Sequence, residues 1–220
     1  MKKIFFIAAF LGFTLYGNAQ VTLQGDGSLG TLVFRKSADF NDASIGGSRY
    51  LSEEFSLAKV NKGTENFMIR YNAYGDIMEY KNGNDLLELI KEQNTHFQFD
   101  SGEIYELLTY NVKGSSVSRY HRILTDQNNV KVSKFQSVKL EEAKAATNSY
   151  DSATPASYKQ NRDSYFITIN GQTTEFDGKR KSAEKLFPSK SSEIKKFYKE
   201  NKIRTNDEDM IKLGNFLATL

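Results

Sequence analysis

Apolar and polar side chains alternate along the middle of the chain, and this alternation predicts β-strands. In residues 67–74 one face carries Phe67, Ile69, Tyr71 and Ala73, while mostly polar side chains occupy the other. A period of two residues is typical of a half-buried strand. Similar segments recur up to residue 176 and are separated by short turn signals such as Asn170-Gly171. Because parallel strands need crossovers of about a dozen residues, these short turns favour an antiparallel meander.

Helical periodicity replaces this alternation near the C-terminus. The three segments that show it are residues 179–187, a second segment with Ile194, Phe197 and Tyr198 on one face, and a third with Met210, Leu213 and Leu217 on one face. The first must end before Pro188. Ser191 or Ser192 is expected to cap the second helix, and Asn206 the third. Strands followed by helices predict an α+β fold, mostly an antiparallel meander, whose sheet is open, half-barrel or closed.

Three stretches are less regular. Residues 84–93 fit either a short helix capped by Asn84 or a buried strand. Residues 141–155 are small and polar, and we expect a long connection across the sheet. Residues 20–48 are rich in glycine, serine and aspartate and predict an irregular entry segment with one short strand at 31–34. We therefore expect a single domain over residues 20–220, with a β-rich part at 49–178 and a helical part at 179–220.

The N-terminus has the three-part order of a secretory signal. Lys2 and Lys3 precede an apolar run over residues 4–15, and small residues then predict cleavage between Ala19 and Gln20. The alternative is a transmembrane anchor, but the run is shorter than the roughly 18 residues that a spanning helix needs. No cysteine is present to carry a lipid. The sequence thus predicts a periplasmic or secreted protein with no transmembrane anchor after cleavage.

Composition excludes several kinds of chemistry. Without cysteine there are no disulfides, thiolate nucleophiles or cysteine-bound metals. The two histidines leave little room for a metal site, so we expect neither a metal nor a cofactor, and we identify no catalytic residues. Loss of the signal leaves 28 basic and 27 acidic residues. Nucleic acid is not an expected partner, because phosphate binding needs a basic excess.

Both histidines are predicted to lie on the solvent side of strands. His121 is flanked by Arg119-Tyr120 and Arg122, and the positive neighbours should make its imidazole harder to protonate. No nucleophile or carboxylate spacing accompanies it. We expect a surface histidine whose replacement by alanine has little effect. His96 alternates outward from Phe97, and the same reasoning applies to it.

Two groups of residues are candidates for a ligand or partner surface. Arg70, Tyr71 and Tyr74 lie close along one predicted strand, where tyrosines could stack on a sugar or simply pack across strands. Lys195 and Lys199 belong to a region, residues 179–202, with nine basic and three acidic residues. That region could touch anionic lipid headgroups or acidic glycans, or it could be an ordinary solvated helix face.

Several motifs together resemble a group of exported, β-rich proteins of Gram-negative bacteria. The motifs are Gly47-Ser48-Arg49-Tyr50-Leu51, Arg70-Tyr71-Asn72-Ala73-Tyr74 with Asp76 and Glu79, Leu186-Phe187-Pro188, Ile194-Lys195-Lys196-Phe197, Glu200-Asn201-Lys202 and the segment 209–217. The resemblance spans most of residues 47–217. It implies secretion and a single domain, and it implies no catalytic residues because the group has no established activity.

Three functional hypotheses follow. The first is an exported, non-enzymatic module that binds an envelope protein, a glycan or a lipid. The second is a periplasmic carrier that holds an apolar or lipid ligand in a cavity lined by Phe67, Ile69, Phe97 and Phe99. The third is a hydrolase with dispersed carboxylates, which would require a close pair of acidic side chains in a cleft.

Overall fold

The computed structural model describes residues 20–24, 31–37, 44–146 and 152–220. The predicted signal peptide, residues 1–19, lies outside these ranges. The described part of the chain holds fourteen strands followed by three helices. The strands are β1 (Gln20–Gln24), β2 (Thr31–Lys36), β3 (Ser56–Val60), β4 (Asn66–Asn72), β5 (Ile77–Asn82), β6 (Asp85–Leu89), β7 (His96–Phe99), β8 (Ile104–Val112), β9 (Ser115–Gln127), β10 (Val130–Phe135), β11 (Val138–Glu141), β12 (Ser157–Gln160), β13 (Ser164–Ile169) and β14 (Gln172–Glu175).

Twelve of these strands form one antiparallel sheet in the order β1-β2-β6-β5-β4-β3-β7-β8-β9-β10-β13-β14. The strands β3 to β6 form one meander, and β7 to β10 form a second that starts beside β3. The described sheet is not closed. The predicted α+β fold with a mostly antiparallel sheet is confirmed, and of the predicted options the closed sheet is excluded for the described strands.

This sheet is strongly curved, as the contact between side chains of distant strands shows. Buried side chains of neighbouring strands face one another on one side, as in the pairs Phe34–Leu89, Val60–Phe97 and Leu107–Tyr120. In a flat sheet β4 and β9, four strands apart, would be separated by roughly 19 Å. The ring centroids of Tyr71 on β4 and Tyr120 on β9 are 6.4 Å apart. The sheet therefore curls around its own apolar face, and we call the cluster of side chains buried there the first core.

The predicted strands are present where the alternation of apolar and polar residues is regular. Elsewhere the observed strands differ from the prediction. Residues 85–89 are the strand β6, which settles the choice between helix and strand left open for residues 84–93. The entry segment contains β1 in addition to the expected strand at 31–34, because β1 pairs with β2 through backbone bonds that apolar content does not reveal. The connection expected over residues 141–155 lies between β11, which ends at Glu141, and β12, and these two strands pair as a separate two-stranded sheet.

Side chains of three helices form a second core with side chains of β10 and β13, and the third helix lies against β9 and β10. The helices are α1 (Arg180–Leu186), α2 (Ser191–Asn201) and α3 (Asp207–Leu217). As predicted, α1 ends before Pro188, and the side chain of Asn206 accepts a hydrogen bond from the backbone N–H of Asp209. The serine cap predicted for α2 is wrong. Residues 188–190 form a 3₁₀ turn that leads directly into α2, so Ser191 is already helical.

Polar and apolar contacts both hold α3 against the sheet. Met210, Leu213 and Leu217 are buried, as their spacing predicts. At the first turn of α3, the Asp207 carboxylate accepts hydrogen bonds from Lys134 Nζ at 2.8 Å and from Tyr165 Oη at 2.8 Å. The helix is therefore fixed at its N-terminus by charge and along its length by burial.

Gly214 lets α3 approach the sheet closely, and its replacement by alanine should destabilise the protein. A β-carbon at Gly214 would lie 2.4 Å from Thr125 Oγ1 and 2.8 Å from Val132 Cγ2, too close for either to remain in place. Glycine to alanine inside a helix ordinarily gains about 1 kcal/mol. Here we expect Gly214→Ala to lose about 1–3 kcal/mol of unfolding free energy, measured by urea denaturation.

The exposed neighbour Asn215 provides the control for this prediction. Asn215→Ala changes helix propensity without filling space between α3 and the sheet, so it should be neutral or slightly stabilising. A Gly214→Ala protein that is more stable than the wild type would show that α3 does not make this close contact.

Candidate functional site

Arg70, a predicted surface residue on β4, is enclosed by protein groups. Its Nε and Nη2 donate to the Glu79 carboxylate at 3.2 and 2.6 Å, and Nη1 donates to the carbonyl of Glu53 at 2.8 Å. The guanidinium carbon lies 3.7 Å from the ring centroid of Tyr50 and 4.2 Å from that of Phe55. Arg70 thus fastens residues 50–55 to the sheet, and its hydrogen-bonding groups are engaged inside the protein.

Glu79 on β5 is the buried partner of this arginine. Its side chain is 2% exposed. Besides Arg70, it accepts hydrogen bonds from the Asn72 amide at 2.9 Å and from the Tyr50 hydroxyl at 3.3 Å. Since a buried charge is tolerated only when it is paired and hydrogen-bonded, this network is a structural unit.

The two tyrosines predicted beside Arg70 have different surroundings. Tyr71 is buried, and its hydroxyl donates to Asp76 at 2.9 Å. Burial, with Asp76 nearby, raises the pKa of that hydroxyl. Tyr74 is 47% exposed and packs edge-on against Tyr158, with 5.1 Å between ring centroids. The two rings therefore do not form a common exposed platform.

A small inner cleft lies beside Arg70 and Tyr71. Its volume is about 240 Å³. Two of its lining residues, Arg122 and Glu103, form an ion pair with 3.1 Å between Nη1 and Oε1. Sites for small ligands usually have about 300–1,000 Å³. The cleft is therefore smaller than a usual ligand site.

The side chains named in the carrier hypothesis are part of the first core. Phe67, Ile69, Phe97 and Phe99 are all buried in one cluster with the neighbouring strands. Of these four, only Ile69 and Phe99 reach the inner cleft.

The prediction that His121 lies on the surface is wrong. The side chain is 0% exposed, with Nδ1 3.2 Å from Ser133 Oγ and Nε2 3.3 Å from the Tyr110 hydroxyl. Burial, together with the nearby Arg119, lowers its pKa to about 3. The direction of the arginine effect agrees with the sequence reasoning, but burial is the larger cause. Ser133 is equally buried, so a substrate has no access to this serine–histidine pair.

His121 is buried because side chains of β10 and β13 cover it. It lies on the face of the sheet opposite the first core, which we call the outer face. Its ring centroid lies 4.5 Å from that of Phe166 on β13 and 5.6 Å from that of Phe135 on β10. The sequence alternation places His121 opposite the first core. It does not show that β13 and its neighbours cover that second face.

His96 points outward as predicted, but it lies in a cleft and has a partner. Its Nδ1 is 3.3 Å from a Glu106 carboxylate oxygen, and the other oxygen of Glu106 accepts a hydrogen bond from Lys131. Lys131 also pairs with Asp126 at 3.2 Å. Burial raises the Glu106 pKa, but hydrogen bonds from His96 and Lys131 outweigh it and the pKa is lowered. These side chains come from four strands, so sequence spacing gives no signal for their meeting.

This charged group forms part of an outer cleft of about 570 Å³. The cleft lies on the face of the sheet opposite the first core. The residues that surround His96, Glu106 and Lys131 there come from the β3–β4 turn, the segment before β7, the strand β8 and the β13–β14 hairpin. None of the residues in the predicted ligand surfaces lies in this cleft, which sequence reasoning missed.

Lys195 and Lys199 lie on the exposed side of α2. The opposite side is fixed in the fold: Ile194 is fully buried, and the Phe197 ring stacks on Phe216 at 4.0 Å. Within the described residues, neither Lys195 nor Lys199 makes a salt bridge, and the same is true of Lys196 and Lys202. We call the surface formed by these four lysines the basic face.

Across the described ranges, no three histidine, aspartate or glutamate side chains come together in a way that could hold a metal ion. No helix among the described elements is long and apolar enough to cross a bilayer. Comparison with protein-family models, with curated proteins and with solved structures finds no match to this chain.

Proposed function

We propose that the chain is an exported, non-enzymatic module that docks on an anionic phospholipid surface of the cell envelope through the basic face. Export rests on the signal sequence, with cleavage between Ala19 and Gln20. The observation that carries the docking proposal is a group of lysines, on and directly after α2, that make no salt bridge with any described residue, while the other side of this helix is anchored in the core.

The anchoring of α2 gives the basic face a fixed orientation. The hydroxyl of Tyr198 donates to the carbonyl of Gly178 at 2.9 Å, in addition to the packing of Ile194 and Phe197. The apolar side of α2 is therefore occupied, and binding does not require it to insert into lipid. The lysines on the free side can approach headgroups without any rearrangement of the fold.

The charge distribution favours this face over the rest of the surface. The net charge of residues 179–202 is +6, whereas that of residues 20–220 as a whole is +1. The remaining residues therefore have a net charge of −5. A basic residue close to an anionic leaflet contributes about 1 kcal/mol of attraction. Four such lysines are sufficient for reversible binding, and the acidic remainder directs the molecule to approach with α2 first.

Vesicle binding tests this proposal. Wild-type protein of residues 20–220 should sediment with vesicles of phosphatidylglycerol and phosphatidylcholine but not with phosphatidylcholine alone. Raising the salt from about 0.05 M to about 0.5 M should release it, because screening weakens attraction between exposed charges. The triple variant Lys195→Glu, Lys196→Glu, Lys199→Glu should lose binding by at least about tenfold.

The control is a charge-matched variant away from α2. Lys81, Lys113 and Lys144 are exposed in other parts of the chain, and their joint replacement by glutamate changes the net charge equally. This control should keep more vesicle binding than the α2 variant. Equal losses of vesicle binding in both variants would indicate an effect of net charge alone and would contradict docking through the basic face. Equal binding to anionic and zwitterionic vesicles would also contradict the proposal.

A further inference from the structure

The walls of the outer cleft carry groups that both donate and accept hydrogen bonds. Amides and hydroxyls dominate the lining, including those of Asn61, Gln93, Asn94, Thr109, Thr168 and Thr173. None of the described lining residues is phenylalanine, tyrosine or tryptophan. Such walls favour a ligand with many hydroxyl groups, since each hydroxyl also donates and accepts.

Three of the ionic side chains that line the cleft, those of His96, Glu106 and Lys131, already have ionic partners, whereas the exposed Lys62 makes no salt bridge among the described residues. The Glu106 carboxylate is shared between Lys131 and His96, and Lys131 is shared between Glu106 and Asp126. An ionic ligand that approached these three side chains would have to compete with their existing partners. A neutral hydroxyl can instead bond to the free lone pairs and N–H groups that remain on them.

Contacts within the walls hold several of these groups in place. The Gln93 amide donates to the Thr109 hydroxyl at 2.9 Å, and that hydroxyl lies 2.7 Å from the hydroxyl of Ser118. On the facing hairpin, the Thr168 and Thr173 hydroxyls are 2.8 Å apart. Preorganised polar groups lose less conformational freedom when a ligand binds.

From these features we infer that the outer cleft binds a neutral saccharide. Its volume of about 570 Å³ lies in the usual range for small-ligand sites. The inference is independent of the docking of α2, because the cleft is built from the β-sheet and its turns. A chain with both sites would hold a carbohydrate while attached to an anionic surface.

Nuclear magnetic resonance with isotope-labelled protein of residues 20–220 tests the inference. The probes are maltose, cellobiose and N-acetylglucosamine, with glucuronic acid as an anionic sugar, each added up to about 10 mM to reveal dissociation constants in the millimolar range. At least one neutral sugar should shift the amide signals of Asn94, Thr109 and Thr173 in a saturable way. Signals from α2 should not move.

The double variant Thr109→Val, Thr173→Val removes one hydroxyl from each wall and keeps the side-chain shape and strand propensity. It should weaken binding of the neutral sugar by about tenfold, the usual effect of losing two neutral hydrogen bonds. The matched control is Thr174→Val, which changes the next residue of the same strand, on the opposite face. The control should bind as the wild type does.

Three results would overturn the inference. The first is an absence of saturable shifts with all three neutral sugars in a protein whose spectrum shows it to be folded. The second is binding of glucuronic acid in preference to the neutral sugars, which would show that the ionic groups of the cleft select charge. The third is equal loss of binding in the double variant and in the Thr174→Val control.

Discussion

Replacing His121 with alanine is expected to destabilise the protein by about 2–4 kcal/mol. The substitution removes a fully buried ring that fills the space between β9 and β13. It also leaves the hydroxyls of Ser133 and Tyr110 without their buried partner. A cavity and orphaned polar groups are the two usual causes of large losses in core substitutions. Urea denaturation at neutral pH measures the change.

The control is His96→Ala, in which the side chain lies at the surface of the outer cleft and is partly exposed. This substitution should lower the free energy of unfolding by less than about 1 kcal/mol. A tolerated His121→Ala, equal in stability to the wild type, would return His121 to the surface position that the sequence suggested.

The same histidine should make stability fall in mild acid. Its folded pKa, about 3, lies below the unfolded value near 6.5, so the unfolded chain binds a proton first as the pH drops. This contribution to stability is complete above pH 6.5 and is lost as the pH falls towards 3. Between pH 7.5 and pH 5.5 the loss should be about 1.4 kcal/mol.

His121→Gln isolates that effect, because glutamine can hydrogen-bond but does not titrate. The difference in unfolding free energy between pH 7.5 and pH 5.5 should be smaller in this variant than in the wild type. Identical pH profiles in the two proteins would show that His121 is not held neutral in the folded state.

Replacement of Glu79 by glutamine should be the most damaging single change near the predicted ligand residues. Arg70 would keep its charge but lose the carboxylate that accepts two of its N–H groups. Removing one partner of a buried ion pair costs about 3–5 kcal/mol. We expect a clear fall in the melting temperature, together with increased proteolysis around residues 50–55, which Arg70 fastens to the sheet.

Glu65→Gln serves as the matched control, since Glu65 is exposed at the end of the β3–β4 turn. It should stay within about 0.5 kcal/mol of the wild type. If Glu79→Gln is equally mild, the network of Arg70 is not what holds residues 50–55, and Arg70 would be available to a ligand.

The sequence predicted those parts of the fold in which local periodicity and burial coincide. The inward face of β4, with Phe67, Ile69 and Tyr71, and the apolar stripe of α3, with Met210 and Leu213, are both buried as expected. In these elements the polarity of a side chain indicates whether it is buried, because one face of the element contacts the core and the other contacts solvent.

Features that depend on distant parts of the chain could not be predicted in this way. His121 alternates correctly, yet it is buried because β13, more than forty residues later, covers the outer face. Glu106 and Lys131 meet only because the order of the strands brings β7, β8 and β10 together around the outer cleft. Sequence spacing contains no information about such contacts, so the outer cleft became visible only in the folded chain.

The most direct test of the docking proposal is to map which face of the protein lies against the membrane. Anionic vesicles that carry a gadolinium-chelating lipid broaden the amide signals of nearby residues. The proposal predicts strong broadening for residues 195–202 of the wild-type protein, little for the outer cleft at Thr109 and Thr173, and none with zwitterionic vesicles. Broadening centred on the sheet, or spread evenly over the protein, would contradict docking through the basic face.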